Sequence, residues 1–180
     1  VNRKALGLSH ITRDMAKTFI YAFLLGAGTA KVSQILKTDK RQATRAVSNF
    51  MESISGLSRL KKKIVPQIAE NGYFRGYDGR KVKVPSEHKT LAGMLQNGES
   101  TIMKHATRKW INWGRKEGIV FKLVTWPHDE WQTEVMGSKD SAERLGTIQR
   151  KSIESVGVEL GLTCPLAGST SIGKSWLDTH

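Results

Sequence analysis

The stretch RDMAKTFIYAFLLG, Arg13 to Gly26, decides how the rest of the chain is read. Thr12 before it is a fair N-cap, Asp14 sits in the first turn where a helix dipole favours acid, and Gly26-Ala27-Gly28 makes a C-terminal stop. Between those signals Ala16, Phe19, Ile20, Phe23 and Leu24 recur at i, i+3, i+4, i+7 and i+8, which is one buried helical face. Arg13, Lys17 and Tyr21 are each four apart and form a neighbouring stripe, drifting only about 40° per step at helical pitch. Two fixed cations followed by an aromatic ring suit a nucleoside triphosphate, with charge for the phosphates and a flat face for sugar and base. The same spacing also describes an ordinary amphipathic helix with a wet face, and short motifs have many false positives.

Outward from this helix, the composition narrows the choice of partner. The 180 residues carry 29 Lys+Arg against 16 Asp+Glu, a net charge of +13. Nucleic acid and anionic membrane surfaces are the usual partners of such a balance. The charge is spread through the chain, so a folded basic surface is expected rather than a disordered arm. Cys164 is the single cysteine, which excludes an intrachain disulfide and fits a reducing compartment. No signal peptide is visible, and the apolar run Phe19 to Ala30 is too short to span a bilayer. A cytoplasmic protein without a membrane partner is the expectation. The start at Val1, a short way before the helix, reads as a processed start or as the beginning of a C-terminal piece of something larger.

Residues 1–11 read as a short polar lead-in with a turn at Gly7. Helices are predicted over 29–36 and 38–50, the second basic with a weak stripe of Ala43, Val47 and Phe50, and the helical pattern continues over 51–70. Lys61-Lys62-Lys63 within it read equally as a solvated face or as contacts to DNA phosphates. Asn71-Gly72 and Asp78-Gly79 flank short aromatic and β-branched runs, predicting a hairpin over 71–85 with Arg75, Arg80, Lys81 and Lys83 along a basic edge. A long helix over 88–114 follows, weakened by Gly93 and Gly98, with His88, Ala92 and Gln96 in line at spacing four. Ile119 to Thr125 and Trp131 to Val135 predict two strands joined by the turn Pro127-His128-Asp129. A last helix over 141–160 and a β-like segment over 161–165 complete the pattern.

The opening stretch resembles motif B, the fingers helix of family A DNA polymerases, and most of all the phage replicative branch. The likeness implies that Arg13 and Lys17 hold the phosphates of the incoming nucleotide and that Tyr21 packs against its sugar. Leu25 stands where the family usually has tyrosine, near the template base. His128-Asp129-Glu130 resembles motif C of the same family, usually V-H-D-E, with Pro127 in place of valine. Two motifs in the right order, separated by a gap of the right size, make coincidence improbable. The piece Y-D-G-R-K-V-K-V resembles the strand leading from fingers to palm, with Arg80 at the arginine found there. His88 and Gln96 match the helix that lines the minor groove of new duplex, while Ala92 does not. The ending G-K-S-W-L-D-T-H is similar to the phage branch, whose terminal histidine lies close to the active site and makes His180 a candidate site residue.

The resemblance runs from Thr12 to His180 and implies an α+β fold: mainly helical fingers (1–70) and the remaining fingers with the C-terminal half of an antiparallel palm sheet (71–180). It implies nucleotidyl transfer by two Mg2+ ions, in which a primer 3′-OH attacks the α-phosphate of a dNTP. Asp129 would ligate metal with Glu130 beside it, His128 would lie near the primer terminus, and Lys17 with Arg13 would neutralise the departing phosphates. Motif A, with the family's other metal-binding aspartate, is not in this sequence, nor are the thumb and exonuclease. The chain is therefore expected to be incomplete without a second polymerase polypeptide that supplies motif A and the thumb, and to act on primer-template DNA and dNTP. The alternative is a non-catalytic basic nucleic-acid-binding protein derived from a polymerase.

Overall fold

In the computed structural model, which describes residues 2–179, a short helix α1 (Asn2–Ala5) precedes α2 (Arg13–Leu24). The Thr12 hydroxyl accepts from the Met15 N–H at 3.2 Å and caps α2 as the sequence requires. Ala16, Phe19 and Phe23 are its buried residues. Phe19 and Phe23 stack at 5.7 Å, and Phe50 of α4 (Lys40–Ser53) meets both edge-on, at 5.2 and 5.5 Å. Such aromatic pairs contribute about 0.5–1.5 kcal/mol each beyond the area they bury. Val32 of α3 (Thr29–Ile35) and Leu36 just behind it complete the cluster. Asp39 starts α4 by accepting from Gln42 N–H at 2.8 Å.

The lead-in is more than a polar arm. Leu6 and Ile11 are fully buried in the same cluster, and His10 Nε2 lies 2.8 Å from the Leu36 carbonyl oxygen. The apolar residues of so short a window set no clear period, so the pattern alone could not reveal which are buried.

The stretch over 51–70 is not one helix. Ile54, at φ −129 and ψ 88, breaks it, and α5 (Ser55–Arg59) runs into a widened π-turn over Leu60–Ile64 before α6 (Val65–Asn71). There the Val65 N–H bonds back five residues to the Leu60 carbonyl. Pro66 follows directly; it has no N–H to offer and its ring crowds the carbonyl four residues earlier, which is a sufficient reason for the wider turn. Gly72, at φ +73, ends α6, so Asn71-Gly72 is a helix stop that leads into the hairpin. The hairpin pairs β1 (Tyr73–Arg75) with β2 (Lys81–Lys83) antiparallel, Phe74 opposite Val82.

Helix α7 (Glu87–Lys116) runs unbroken through Gly93 and Gly98. The chain divides within it into two compact units, Val1–Gln96 and Asn97–His180. In the second unit β3 (Val120–Thr125) pairs antiparallel with β4 (Gln132–Met136), Phe121 opposite Val135 and Lys122 opposite Glu134. Trp110 of α7 is the centre of this core, 5.1 Å from Phe121 and 5.7 Å from Trp131 between ring centroids. Gly114 marks the closest approach: a Cβ there would lie 2.8 Å from Phe121 Cε1 and 2.9 Å from Leu145 Cδ1. Leu145 belongs to α8 (Lys139–Glu159), capped by the Ser138 hydroxyl.

Residues 161–165 form no strand. Gly161 N–H bonds to Val158 O and Leu162 N–H to Gly157 O, both at 3.0 Å, so these donors close the end of α8 instead of entering a sheet. The tail then runs back along α8, with Leu166 against Gly157 and the Thr170 hydroxyl donating to Gly146 O at 3.2 Å. It ends in a short turn of helix, α9 (Trp176–Thr179), where Asp178 accepts from the Lys174 and Ser175 N–H groups. The architecture is mixed, mainly helical, with two small antiparallel sheets. No helix among the described residues is long and apolar enough to cross a membrane.

Candidate active site

In the first unit, the stripe of α2 beside its buried face carries Arg13, Lys17 and Tyr21, all exposed, Tyr21 at 59%. Their side chains make no hydrogen bond or ion pair among the described residues, so both cations keep their donors available for an anionic ligand. Leu25 is exposed at the end of this helix. The chain leaves it through Gly26, at φ +86, where a Cβ would lie 2.5 Å from the His88 carbonyl oxygen. The helix end is thereby set against the start of α7, which exposes His88 and Gln96 with Ala92 half-buried between them. On the other flank Lys61 sits 4.2 Å over the Phe23 ring; burial pushes its ammonium pKa down, opposed by the charge of Glu87.

Arg80 is engaged within its own turn. Its Nε donates to Asp78 Oδ2 at 2.7 Å, and the side-chain bond holds the Asp78 carboxyl below its usual range. The pair is open to solvent and weakly stabilising, and a phosphate would compete for the same donors.

In the second unit, the β3–β4 turn presents His128, Asp129 and Glu130 together. Glu130 N–H closes it on Pro127 O at 3.0 Å, and His128 takes φ +49, a left-handed conformation uncommon outside glycine. The Trp126 indole N–H donates to the His128 carbonyl at 3.0 Å and holds that conformation. Asp129 is exposed, and its carboxylate makes no hydrogen bond or ion pair among the described residues. Glu130 is half-buried and accepts from Gln132 Nε2. His180 lies outside the described residues.

Asp129 and Glu130 line a cleft of about 740 Å³ together with Glu99 of α7 and Gln149 and Arg150 of α8. Gln149 Nε2 is buried there without a partner among the described residues. The sequence pattern does not single out Gln149 and Arg150. Their only signal is two polar residues beside the apolar stripe of Leu145, Ile148 and Ile153, which any solvated face also supplies. Magnesium takes oxygen ligands, and the unpartnered Asp129 carboxylate suits one position of such a site. Among the described residues no three His, Cys, Asp or Glu side chains are grouped to hold a metal, so further oxygens would have to come from elsewhere. The structure thus groups Arg13, Lys17 and Tyr21 on one helix of the first unit, and His128, Asp129 and Glu130 on one turn of the second.

Known proteins are similar to this chain in sequence and in fold. The chain is 32% identical over 186 residues to the DNA-directed DNA polymerase of Escherichia phage Phieco32, covering 99% of this chain and 30% of that protein. It is 29% identical to the corresponding enzyme of Escherichia phage T7, covering 94% of this chain and 27% of that one. The chain therefore spans under a third of the length of these relatives. Among solved structures, the polymerase domain of Pol1 from M. smegmatis, in complex with DNA primer-template and dNTP, matches in fold with a TM-score of 0.73. That match has 19% identity and covers 84% of this chain and 30% of the other. The family model for DNA polymerase family A matches residues 3–178, nearly end to end, and this chain belongs to that family.

Proposed function

We propose that this chain is the C-terminal portion of a template-directed DNA polymerase, gripping the incoming dNTP and supplying a metal-binding carboxylate for its transfer to a primer 3′-OH. Residues 1–70 form the fingers helices, and 71–180 the remaining fingers and the C-terminal half of the palm. The observation that carries the reading is the unpartnered Asp129 carboxylate at the tip of the β3–β4 turn, in a chain of this family.

Arg13 and Lys17, one helical turn apart, bind the β- and γ-phosphates and offset the charge that grows on the departing pyrophosphate. Tyr21, a further turn along, packs on the sugar. His88 and Gln96 hydrogen-bond to minor-groove acceptors shared by all base pairs, which an enzyme that copies any sequence needs. Arg80 reaches backbone phosphate when Asp78 releases it, and His128 lies toward the primer terminus. Asp129, with Glu130 beside it, would hold Mg2+, which would supply polarisation of a phosphoryl oxygen and favour the attacking alkoxide. The other metal-binding aspartate and the thumb come from a second stretch of polypeptide.

Asp129→Asn keeps the shape of the turn and removes the charge. In the assembled enzyme it is expected to lower single-nucleotide incorporation by about 10³-fold or more, the scale of losing a key electrostatic group. DNA affinity, which rests on the basic surface, should be retained. Incorporation within a few-fold of the parent would mean that Asp129 is not the metal-binding carboxylate and that the motif C assignment is wrong.

A further inference from the structure

The second half of α7 carries a basic groove that the polymerase reading does not use. Lys104, Arg108, Lys109, Arg115 and Lys116 line it against one carboxylate, Glu159. That carboxylate is already taken by Lys109, which leaves the other four cations without an acidic partner among the described residues. The groove encloses about 670 Å³ and shares no lining residue with the cleft at the Asp129 turn.

The pattern along the helix is regular. Lys104, Arg108, Asn112 and Lys116 are each four apart and all exposed. At 1.5 Å per residue they form a donor row about 18 Å long. Beside it Trp113 lies in the groove half-buried, with Lys109 Nζ 5.3 Å from its ring. The row's three charged members repeat a single sign.

We propose that this groove binds the phosphate backbone of a nucleic-acid strand, as a second DNA-binding surface separate from the catalytic turn. The donor row follows the phosphates and Trp113 offers an edge for a base, a combination characteristic of single-strand binding. An acidic protein would satisfy the charges but leave the ring without a role.

The test is fluorescence-anisotropy binding of labelled oligothymidylate, and in parallel of a duplex, to the full chain across a salt series. The comparison is the Lys104→Ala/Arg108→Ala/Lys116→Ala variant, with its fold checked by circular dichroism. Each phosphate that the variant no longer neutralises should flatten the log affinity against log salt line by about one, so a total of about three is expected, or somewhat less for the single strand. The unaltered chain, photocrosslinked to bromodeoxyuridine DNA, should carry the adduct within residues 104–116, a readout independent of how the variant folds. An unchanged salt slope in a folded variant, or no adduct in that segment, would overturn the proposal. So would polyglutamate competing as well as oligothymidylate, which would assign the groove to an acidic protein. None of these readouts requires primer extension, so the result stands apart from the catalytic assignment.

Discussion

Tyr21 puts a phenol hydroxyl on the exposed edge of α2 with no partner of its own among the described residues. In a closed polymerase site the 3′-OH of a nucleotide satisfies a polar group that a dideoxynucleotide leaves short, typically at a cost of about 1–3 kcal/mol. The tyrosine hydroxyl can fill that gap; phenylalanine cannot. The assembled enzyme is therefore expected to accept dideoxynucleotides readily, and Tyr21→Phe to discriminate against them roughly 10- to 100-fold more. The ratio of kcat/KM for dNTP over ddNTP in both forms checks this, with normal dNTP use little changed. An unchanged ratio would mean that Tyr21 does not face the sugar.

Among the elements, α2 depends on how it ends. Gly26 combines a left-handed φ with a backbone oxygen of His88 where a Cβ would sit. Gly26→Ala should destabilise the chain by about 2 kcal/mol or more, since the left-handed conformation alone costs roughly 1–2; urea unfolding measures it. The outline of α2 is legible because cap, apolar period and glycine stop agree over Thr12 to Gly26, and the β3–β4 hairpin because two β-branched runs flank a proline turn. The π-turn is not, because Leu57 and Leu60 keep a helical period up to its first residue and only Pro66 breaks the rule. Residues 161–165 mislead in the opposite direction. Their composition suits a strand, but the Gly161 and Leu162 N–H groups are already committed to the end of α8. At the site, Arg13, Lys17 and Asp129 can be named from motif and resemblance. The pairing of Arg80 with Asp78 cannot, since a basic hairpin edge reads the same whether or not its cations are tied down.

For the whole molecule, the β3–β4 hairpin is the telling feature. Val120 and Val124 are 64% and 65% exposed, and Leu123, Trp126 and Met136 are exposed as well. Two strands alone are marginal in water, and β-branched residues in open solvent forgo the burial that strands are built for. That surface would suit neighbouring strands of a palm, where the proposed function puts the other metal-binding aspartate. Activity is therefore expected to depend on assembly, and primer extension tests this most directly. With Mg2+, dNTPs and primer-template DNA, the purified 180-residue chain should add no nucleotide, and extension should appear on adding a polypeptide that carries motif A and the thumb. Extension by the chain alone, free of contaminating polymerase, would contradict it.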